Sequence, residues 1–320
     1  MTERNLAGST EKLRGLIPPL VLPLQDSGAI DYDGLAHQID YVFAGGADGI
    51  WVNGTSGDFF ALTEDERAEV VVVATERAAG RVPVIAQVGD ASTRRTIANA
   101  HRALDSGADF IAVVLPYYLP YTQAELKQHF RIIAKEIGEP VFLYQIPQMS
   151  KVALSAPSIV ELAQEGTLIG IKDSSGDLEF YQRLSSNLSG TNVSFRCFTG
   201  IGALMDLSLL AGGHGLMCAI ANLLPHLCKN IYQDATAGNW LGARATQQHI
   251  LTFINALAMP ERTTWAPVVA VYKWMLRELG VINSDRVCEP LQPLSTQEQE
   301  LLRIGALPLA KELCAGLIRR

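Results

Sequence analysis

Short apolar runs alternate along the chain with longer amphipathic stretches, and this alternation predicts the secondary structure. The runs have the length and composition of buried strands, whereas the stretches between them place apolar residues at helical spacing. Strands are predicted at residues 16–22, 49–53, 82–87, 110–115, 141–144, 168–172, 193–198 and 216–219. Helices are predicted between them at residues 32–44, 64–79, 93–106, 123–137, 157–165, 178–188 and 203–210.

Eight strand-helix units favour a (β/α)8 TIM barrel over an open doubly wound sheet, which has fewer strands. No Gly-x-Gly-x-x-Gly turn follows the first strand, where Pro18 and Pro19 stand instead. The main sequence signature of a dinucleotide-binding protein is therefore missing. Beyond the eighth strand the pattern is helical, at residues 224–237, 242–257, 265–279 and 296–302. We therefore predict an N-terminal arm (1–14), a barrel (15–223) and a C-terminal helical region packed on it (224–320).

Composition and charge narrow the possible partners. The 320 residues are 48% hydrophobic, and the net charge of −7 with scattered basic residues argues against a nucleic-acid or anionic membrane surface. Small metabolites are the expected partners. No apolar leader segment is visible at the N-terminus, and the cysteines are odd in number without CxxC spacing, which predicts reduced thiols in a cytoplasmic protein. These cysteines are Cys197, Cys218, Cys228, Cys288 and Cys314.

Lys172 ends the most informative of the apolar runs, Leu168-Ile169-Gly170-Ile171. A strand of this kind is buried on both faces, so Lys172 lies where the strand gives way to a loop. Loss of hydration lowers the pKa of such an ammonium and yields the free amine that attacks a ketone to form a Schiff base. The alternative is a structural lysine paired with an acid such as Asp173.

Two further strand ends carry polar groups, and in a barrel the carboxyl ends of the strands form the active site. The second strand ends in Gly54-Thr55-Ser56-Gly57-Asp58, a turn that can direct backbone N–H groups and two hydroxyls at a carboxylate. Taken alone, the pattern favours an ordinary β-to-α loop in which Thr55 and Ser56 serve only as turn and cap residues. The fifth strand ends with Tyr144, which near a lysine can relay protons.

These motifs resemble those of the dihydrodipicolinate synthase and N-acetylneuraminate lyase family of Schiff-base pyruvate enzymes, from Arg14 to beyond Pro293. The turn at Gly54 is similar to the family's Gly-Thr-Thr-Gly-Glu, and Lys172 stands where the family has its lysine. The remaining matches are Tyr144-Gln145-Ile146-Pro147, Gly212-Gly213-His214-Gly215 and the late Pro290-Leu291-x-Pro293-Leu294.

The resemblance implies a role for each matching residue. Lys172 would condense with the keto carbon, Tyr144 would shuttle protons, and Tyr118 would reach into a neighbouring subunit's site. It implies a homotetramer built as a dimer of dimers, with pyruvate or another 2-oxo acid as partner and with neither metal nor cofactor. Substrate-binding positions are implied at Gly54, Thr55, Ser56, Gly57, Gln148, Met149, Gly200 and Ile201.

Departures from the family pattern concern the second substrate. Synthases carry an arginine where this chain has Met149, and sialic-acid lyases carry acidic or hydroxyl groups near Ile201 and Ala219. The distal pocket is therefore expected to be more apolar than theirs. We expect a class I lyase performing aldol cleavage or condensation with pyruvate through Lys172. The alternatives are a 2-keto-3-deoxy sugar-acid dehydratase, which Phe59-Phe60-Ala61-Leu62-Thr63 resembles, and a non-catalytic 2-oxo acid binding protein.

Overall fold

Eight parallel strands form one sheet in the computed structural model, which describes residues 10–259 and 266–315. Positions 1–9 of the predicted N-terminal arm and position 265 of a predicted C-terminal helix lie outside the described residues. The strands are β1 (Gly15–Leu16), β2 (Ile50–Val52), β3 (Val84–Gln87), β4 (Phe110–Val114), β5 (Val141–Gln145), β6 (Leu168–Asp173), β7 (Arg196–Thr199) and β8 (Gly215–Leu216).

Helices follow the strands in the order that the sequence predicts. Around the barrel they are α1 (Tyr32–Ala44), α2 (Glu64–Ala78), α3 (Thr93–Asp105), α4 (Gln123–Ile137), α5 (Pro147–Ser150), α6 (Ala156–Gln164), α7 (Leu178–Ser189) and α8 (Met205–Leu210). Beyond β8 lie α9 (Pro225–Thr236), α10 (Trp240–Ala256), α11 (Ala266–Glu278), α12 (Thr296–Ile304) and α13 (Ala306–Leu313). The short α5 and the last helix, α13, were not predicted. No helix within the described ranges is long and apolar enough to cross a membrane.

The sheet closes into a barrel between its two outer strands. The ladder runs β1-β8-β7-β6-β5-β4-β3-β2, and an isolated bridge between Pro19 and Trp51 joins the segment after β1 to β2. The N–H of Trp51 donates to the carbonyl of Pro18 at 3.0 Å, and the N–H of Leu20 donates back to Trp51 at 2.9 Å. The predicted (β/α)8 barrel with appended helices is thereby confirmed.

The first strand is much shorter than the apolar run that predicts it. Pro18 and Pro19 have no N–H to donate, so the regular ladder ends after Leu16 although the chain continues beside β2. The last strand, β8, is also short. After Leu216 the chain follows β7 through one bond, from the N–H of Met217 to Thr199 at 2.8 Å, and then turns into a 3-10 segment.

Alternation along the strands divides the apolar side chains between two layers. One set packs outward against the helices, including Ile50, Val52 and Ala86. The other set fills the barrel interior and includes Trp51, Phe142, Tyr144 and Phe198. A third cluster joins β8 and the segment after it to the C-terminal helices. The barrel interior therefore contains aromatic rings from β2, β5 and β7, near the carboxyl ends of these strands.

Helix α2 shows how a local signal fixes the start of an element. The hydroxyl of Thr63 accepts from the N–H of Glu66 at 3.2 Å, and the carboxylate of Glu66 accepts from the N–H of Thr63 at 2.8 Å. This capping box satisfies two backbone donors that the helix cannot pair internally. It confirms the start predicted from the sequence and ends the loop that follows the Gly54 turn.

Candidate active site

Lys172 lies near the carboxyl end of β6, in register with Tyr144 on β5 and Phe198 on β7. Its side chain is only 4% exposed, and burial lowers its pKa to about 7. Within the described part of the chain it forms no ion pair. The neighbouring carboxylate of Asp173 instead accepts from the hydroxyl of Ser175 at 2.9 Å. The amine is thus available in its neutral form near neutral pH.

Two aromatic rings adjoin the Lys172 nitrogen. Nζ lies 4.3 Å from the ring centroid of Tyr144 and 4.7 Å from that of Trp51. The two rings meet edge to face, with centroids 5.5 Å apart and an interplanar angle of 76°. Both side chains are almost completely buried. We call this pair of rings the aromatic corner.

The turn after β2 lies beside the same tyrosine. Thr55–Gly57 forms a single 3-10 turn, closed by a bond from the N–H of Gly57 to the carbonyl of Gly54 at 3.0 Å. The first N–H groups of such a turn have no carbonyl partner within it, so they are free to bind an anion. The hydroxyl of Thr55 lies 3.1 Å from the phenol oxygen of Tyr144, and Ser56 is buried next to it.

Glycine at position 54 allows the close approach of the turn to the barrel interior. A Cβ there would lie 2.9 Å from Nε1 of Trp51. Burial raises the pKa of Tyr144 to about 12, with the hydrogen bond from Thr55 acting in the opposite direction. The phenol therefore carries its proton near neutral pH, and it is placed between the turn and the amine. This arrangement can deliver a proton to a group held by the turn.

The turn is also tied to the C-terminal helices through a buried ion pair. Nζ of Lys273 in α11 lies 2.8 Å from Oδ2 of Asp58, and both side chains have no exposed surface. Burial raises the pKa of Asp58, which the charge of Lys273 opposes. Asp58 has a φ of 51°, a left-handed conformation that ends the 3-10 turn. The sequence pattern had marked Asp58 as a turn acid but gave no sign that Lys273 is its partner.

Arg67 of α2 provides a second connection that sequence reasoning missed. Its Nε donates to the carbonyl of Phe59 at 3.0 Å, just after the turn, and its guanidinium lies 3.5 Å from Asp90. Asp90 also pairs with Arg95, and burial together with the charge of Asp90 raises the pKa of the Tyr117 phenol. An arginine in the first turns of an amphipathic helix ordinarily faces solvent, so no sequence signal distinguishes this one.

The four predicted distal residues line the rim at β5 and β7. Gln148 and Met149 lie on α5, where Nε2 of Gln148 donates to the carbonyl of Ser175 at 2.7 Å and Met149 is 40% exposed. The N–H of Gly200 donates to the carbonyl of Asp173 at 2.7 Å, which joins β7 to β6. Ile201 follows it and is half-buried. One of the two N–H donors of the Gln148 amide is thus used within the protein itself.

Tyr118 is the one predicted catalytic residue that this chain does not bring to its own site. Its side chain is 92% exposed, and its φ of 88° places it in a conformation that few side chains adopt. The preceding residue, Tyr117, packs against the interior cluster. The chain therefore holds the base of this loop firmly while directing Tyr118 outward.

Comparison with known proteins agrees with this geometry. The model of the dihydrodipicolinate synthetase family matches residues 12–305. The 4-hydroxy-tetrahydrodipicolinate synthase of Polynucleobacter asymbioticus is 33% identical over 297 residues, which cover 92% of this chain and 94% of that protein.

Two solved structures show the same likeness. The dihydrodipicolinate synthase of Acinetobacter baumannii, complexed with pyruvate, has a TM-score of 0.85 at 31% identity and covers 93% of this chain and 99% of its own. A prophage protein of E. coli from the same family, also in complex with pyruvate, has a TM-score of 0.86 at 27% identity, covering 94% and 98%. This chain therefore belongs to the dihydrodipicolinate synthetase family, as its motifs predicted, and it is a lyase of that family.

Proposed function

We propose that the chain cleaves or forms a carbon–carbon bond of a 2-oxo acid through a Schiff base on Lys172, with pyruvate or a related 2-oxo acid as substrate or product. The observation that carries this proposal is the state of Lys172, a buried amine with a pKa lowered to about 7 beside a protonated phenol. A neutral amine is the nucleophile that the reaction needs. The pyruvate complexes of two similar structures support the choice of substrate.

The reaction begins when the Lys172 nitrogen attacks the keto carbon and forms a carbinolamine. Loss of the former carbonyl oxygen as water, with a proton from Tyr144, gives the protonated imine. The Tyr144 phenolate then takes the proton of the C4 hydroxyl, and the electron pair of the bond between C3 and C4 moves towards the imine, so an aldehyde leaves and an enamine remains. Protonation of the enamine at C3 and hydrolysis of the imine release the 2-oxo acid and return the amine. No metal or cofactor takes part in this proposal.

The turn after β2 would hold the substrate carboxylate during these steps. The hydroxyls of Thr55 and Ser56 and the first N–H groups of the turn are the donors in this assignment. Thr55 would also return protons to Tyr144, because their oxygens are 3.1 Å apart. Gly54 and Gly57 keep the turn close to the barrel, while Gln148, Met149, Gly200 and Ile201 would contact the departing aldehyde.

The assembly and location belong to the same proposal. The exposure and backbone conformation of Tyr118 support a role in a neighbouring subunit's site, and with it a homotetramer built from two dimers. We place the enzyme in the cytoplasm, which is consistent with five cysteines that are all free of disulfides. Both assignments can be tested directly, by sedimentation and by cell fractionation.

Sodium borohydride treatment in the presence of pyruvate tests the central step. Reduction of the imine should attach pyruvate irreversibly to Lys172, which intact-mass analysis and peptide mapping detect. Lys172→Ala should show no adduct, whereas Lys151→Ala, which removes an exposed rim lysine, should be labelled like the wild type. A protein without an adduct, or an adduct that persists in Lys172→Ala, would contradict the mechanism. Labelling without turnover of any 2-oxo acid would favour the binding-protein alternative.

A further inference from the structure

We propose that the ring face of Trp51 stabilises the positive charge on the Lys172 nitrogen while the imine forms and reacts. The ring would do this instead of a carboxylate counter-ion. This inference rests on the proposed function, because it concerns the charged intermediates of that reaction. Trp51 is assigned no role by the motifs or by the comparisons with known proteins.

The geometry of the aromatic corner carries the inference. A cation within about 6 Å of an aromatic centroid is attracted by the negative charge of the ring face. Nζ satisfies this distance twice, at 4.7 Å from Trp51 and 4.3 Å from Tyr144, and the rings stand at 76° to each other. The nitrogen is therefore bounded on two sides by ring faces that are almost perpendicular.

The charged groups around Lys172 are few. Two titratable side chains face it, the phenol of Tyr144 on β5 and the thiol of Cys218 after β8, and burial raises the pKa of each to about 12. Its partner on β7 is the apolar Phe198. The described residues place no carboxylate against the nitrogen, and the two ring faces of the aromatic corner are positioned to stabilise positive charge there.

This choice of partner suits a nucleophilic lysine. A carboxylate in a buried site would hold the amine protonated, because the Coulomb energy of a full charge is large at low dielectric. A ring face attracts the cation less strongly. The amine can then lose its proton to become a nucleophile, while the imine formed from it can still carry a positive charge.

The contacts of Trp51 support a role for the face of its ring and not for its indole N–H. Its backbone closes the barrel through bonds with the segment after β1, and its ring contacts Phe142 edge to face at 6.1 Å. Its indole N–H has no hydrogen-bond partner among the described residues, although it is buried. Packing alone thus fixes the ring beside the nitrogen.

Comparison of Trp51→Phe with Trp51→Leu tests the inference, because both remove volume and only one keeps an aromatic face. The measurement is the rate of pyruvate trapping by cyanoborohydride as a function of pH. Loss of the face should lower the apparent pKa of Lys172 in Trp51→Leu by about one unit relative to Trp51→Phe, equivalent to about 1.4 kcal/mol. The imine should also be weaker, so half-maximal trapping should need about tenfold more pyruvate.

Phe110→Leu is the matched control, since it removes a ring of the same interior cluster that neither packs on the Trp51 ring nor faces Nζ. It should leave the apparent pKa where the wild type has it. Equal apparent pKa values in Trp51→Phe and Trp51→Leu, or a higher value in Trp51→Leu, would overturn the inference. Absence of trapping in the wild type would instead overturn the proposed function and the inference with it.

A second measurement avoids any loss of folding. Growth with 5-fluorotryptophan replaces the chain's 4 tryptophans by residues of nearly the same shape whose ring faces are less negative. The apparent pKa of Lys172 should fall in the fluorinated wild type and stay constant in fluorinated Trp51→Phe. An unchanged value in the fluorinated wild type would overturn the inference.

Discussion

Lys273 and Asp58 form an ion pair of 2.8 Å with no solvent contact, and it joins the C-terminal helices to the turn that would bind the substrate carboxylate. Removing one partner of a buried pair leaves an uncompensated charge, which typically costs about 3–5 kcal/mol. We expect Lys273→Met to lower the free energy of unfolding by an amount of this order, measured by urea denaturation. Glu300→Gln, which breaks an exposed pair, should change it by less than about 0.5 kcal/mol.

The loss in Lys273→Met should depend on pH in a defined direction. Burial raises the pKa of Asp58 in the folded state, and without Lys273 the weak hydrogen bond from the Cys288 thiol is what still opposes that rise. A buried acid with a raised pKa destabilises the fold once it ionises, so the loss should grow as the pH rises above the pKa of an unfolded aspartate. The double variant Asp58→Asn/Lys273→Met should be more stable than Lys273→Met at neutral pH. A loss independent of pH would show that Asp58 is not the group left uncompensated.

Replacement of Tyr144 by phenylalanine should separate chemistry from binding. The phenol keeps its proton near neutral pH and lies 3.1 Å from Thr55, so its loss removes the proton donor and leaves the turn in place. We expect kcat to fall by about 10²-fold or more, as is typical of general acid–base groups, while the dissociation constant of pyruvate changes little. Unchanged turnover in Tyr144→Phe would show that another group moves the proton.

Thr55 should affect binding as well as turnover, in contrast to Tyr144. Thr55→Val keeps the shape of the side chain and removes the hydroxyl that would hold the carboxylate. We expect the KM for the 2-oxo acid to rise by about tenfold, the equivalent of one hydrogen bond to a charged group. Steady-state assays of pyruvate release measure this value. Thr63→Val is the control, because it removes a hydroxyl from the following helix cap.

The pH dependence of catalysis should report the amine of Lys172. Burial lowers its pKa from 10.5 to about 7, so the neutral amine becomes the main form as the pH rises through this value. We expect kcat/KM to rise about tenfold per pH unit below pH 7 and to level off above it. A profile that keeps rising towards pH 10 would show that the lysine has its ordinary pKa.

The positions of Lys172 and Tyr144 at neighbouring strand ends could be predicted from the sequence, because each position follows from a local pattern. Lys172 and Tyr144 both stand where an apolar run ends, and parallel strands bring such ends together. The short β1 could not be predicted from its apolar run, because the effect of Pro18 and Pro19 on the ladder depends on the neighbouring strand. The pair Asp58 and Lys273 is separated by 215 positions and joins two elements that show no pattern in common. The role proposed for Tyr118 depends on a second subunit, which no property of one chain determines.

The rim around Met149, Ile201 and Ala219 should determine which second substrate the enzyme accepts. Met149 is 40% exposed on α5 and has no strong hydrogen-bonding group, and one of the two amide donors of its neighbour Gln148 is already bonded to Ser175. A polyol or a second carboxylate would therefore lose hydrogen bonds on binding, at about 1–3 kcal/mol for each buried group left unpaired. We expect kcat/KM for N-acetylneuraminate, and for condensation of pyruvate with aspartate semialdehyde, to be at least about tenfold below that for a less hydroxylated 2-oxo acid.

Met149→Arg tests the same argument in the opposite direction. It adds a cation at the rim, so condensation with an aldehyde that carries a carboxylate should improve by about tenfold, the value of one charge-assisted hydrogen bond. Met149→Leu keeps the rim apolar and should leave the preference unchanged. A pyruvate-release assay across 2-keto-3-deoxy acids and arylidene pyruvates measures the whole series. Efficient turnover of N-acetylneuraminate by the wild type would show that other groups bind the hydroxyls and that the rim does not select against them.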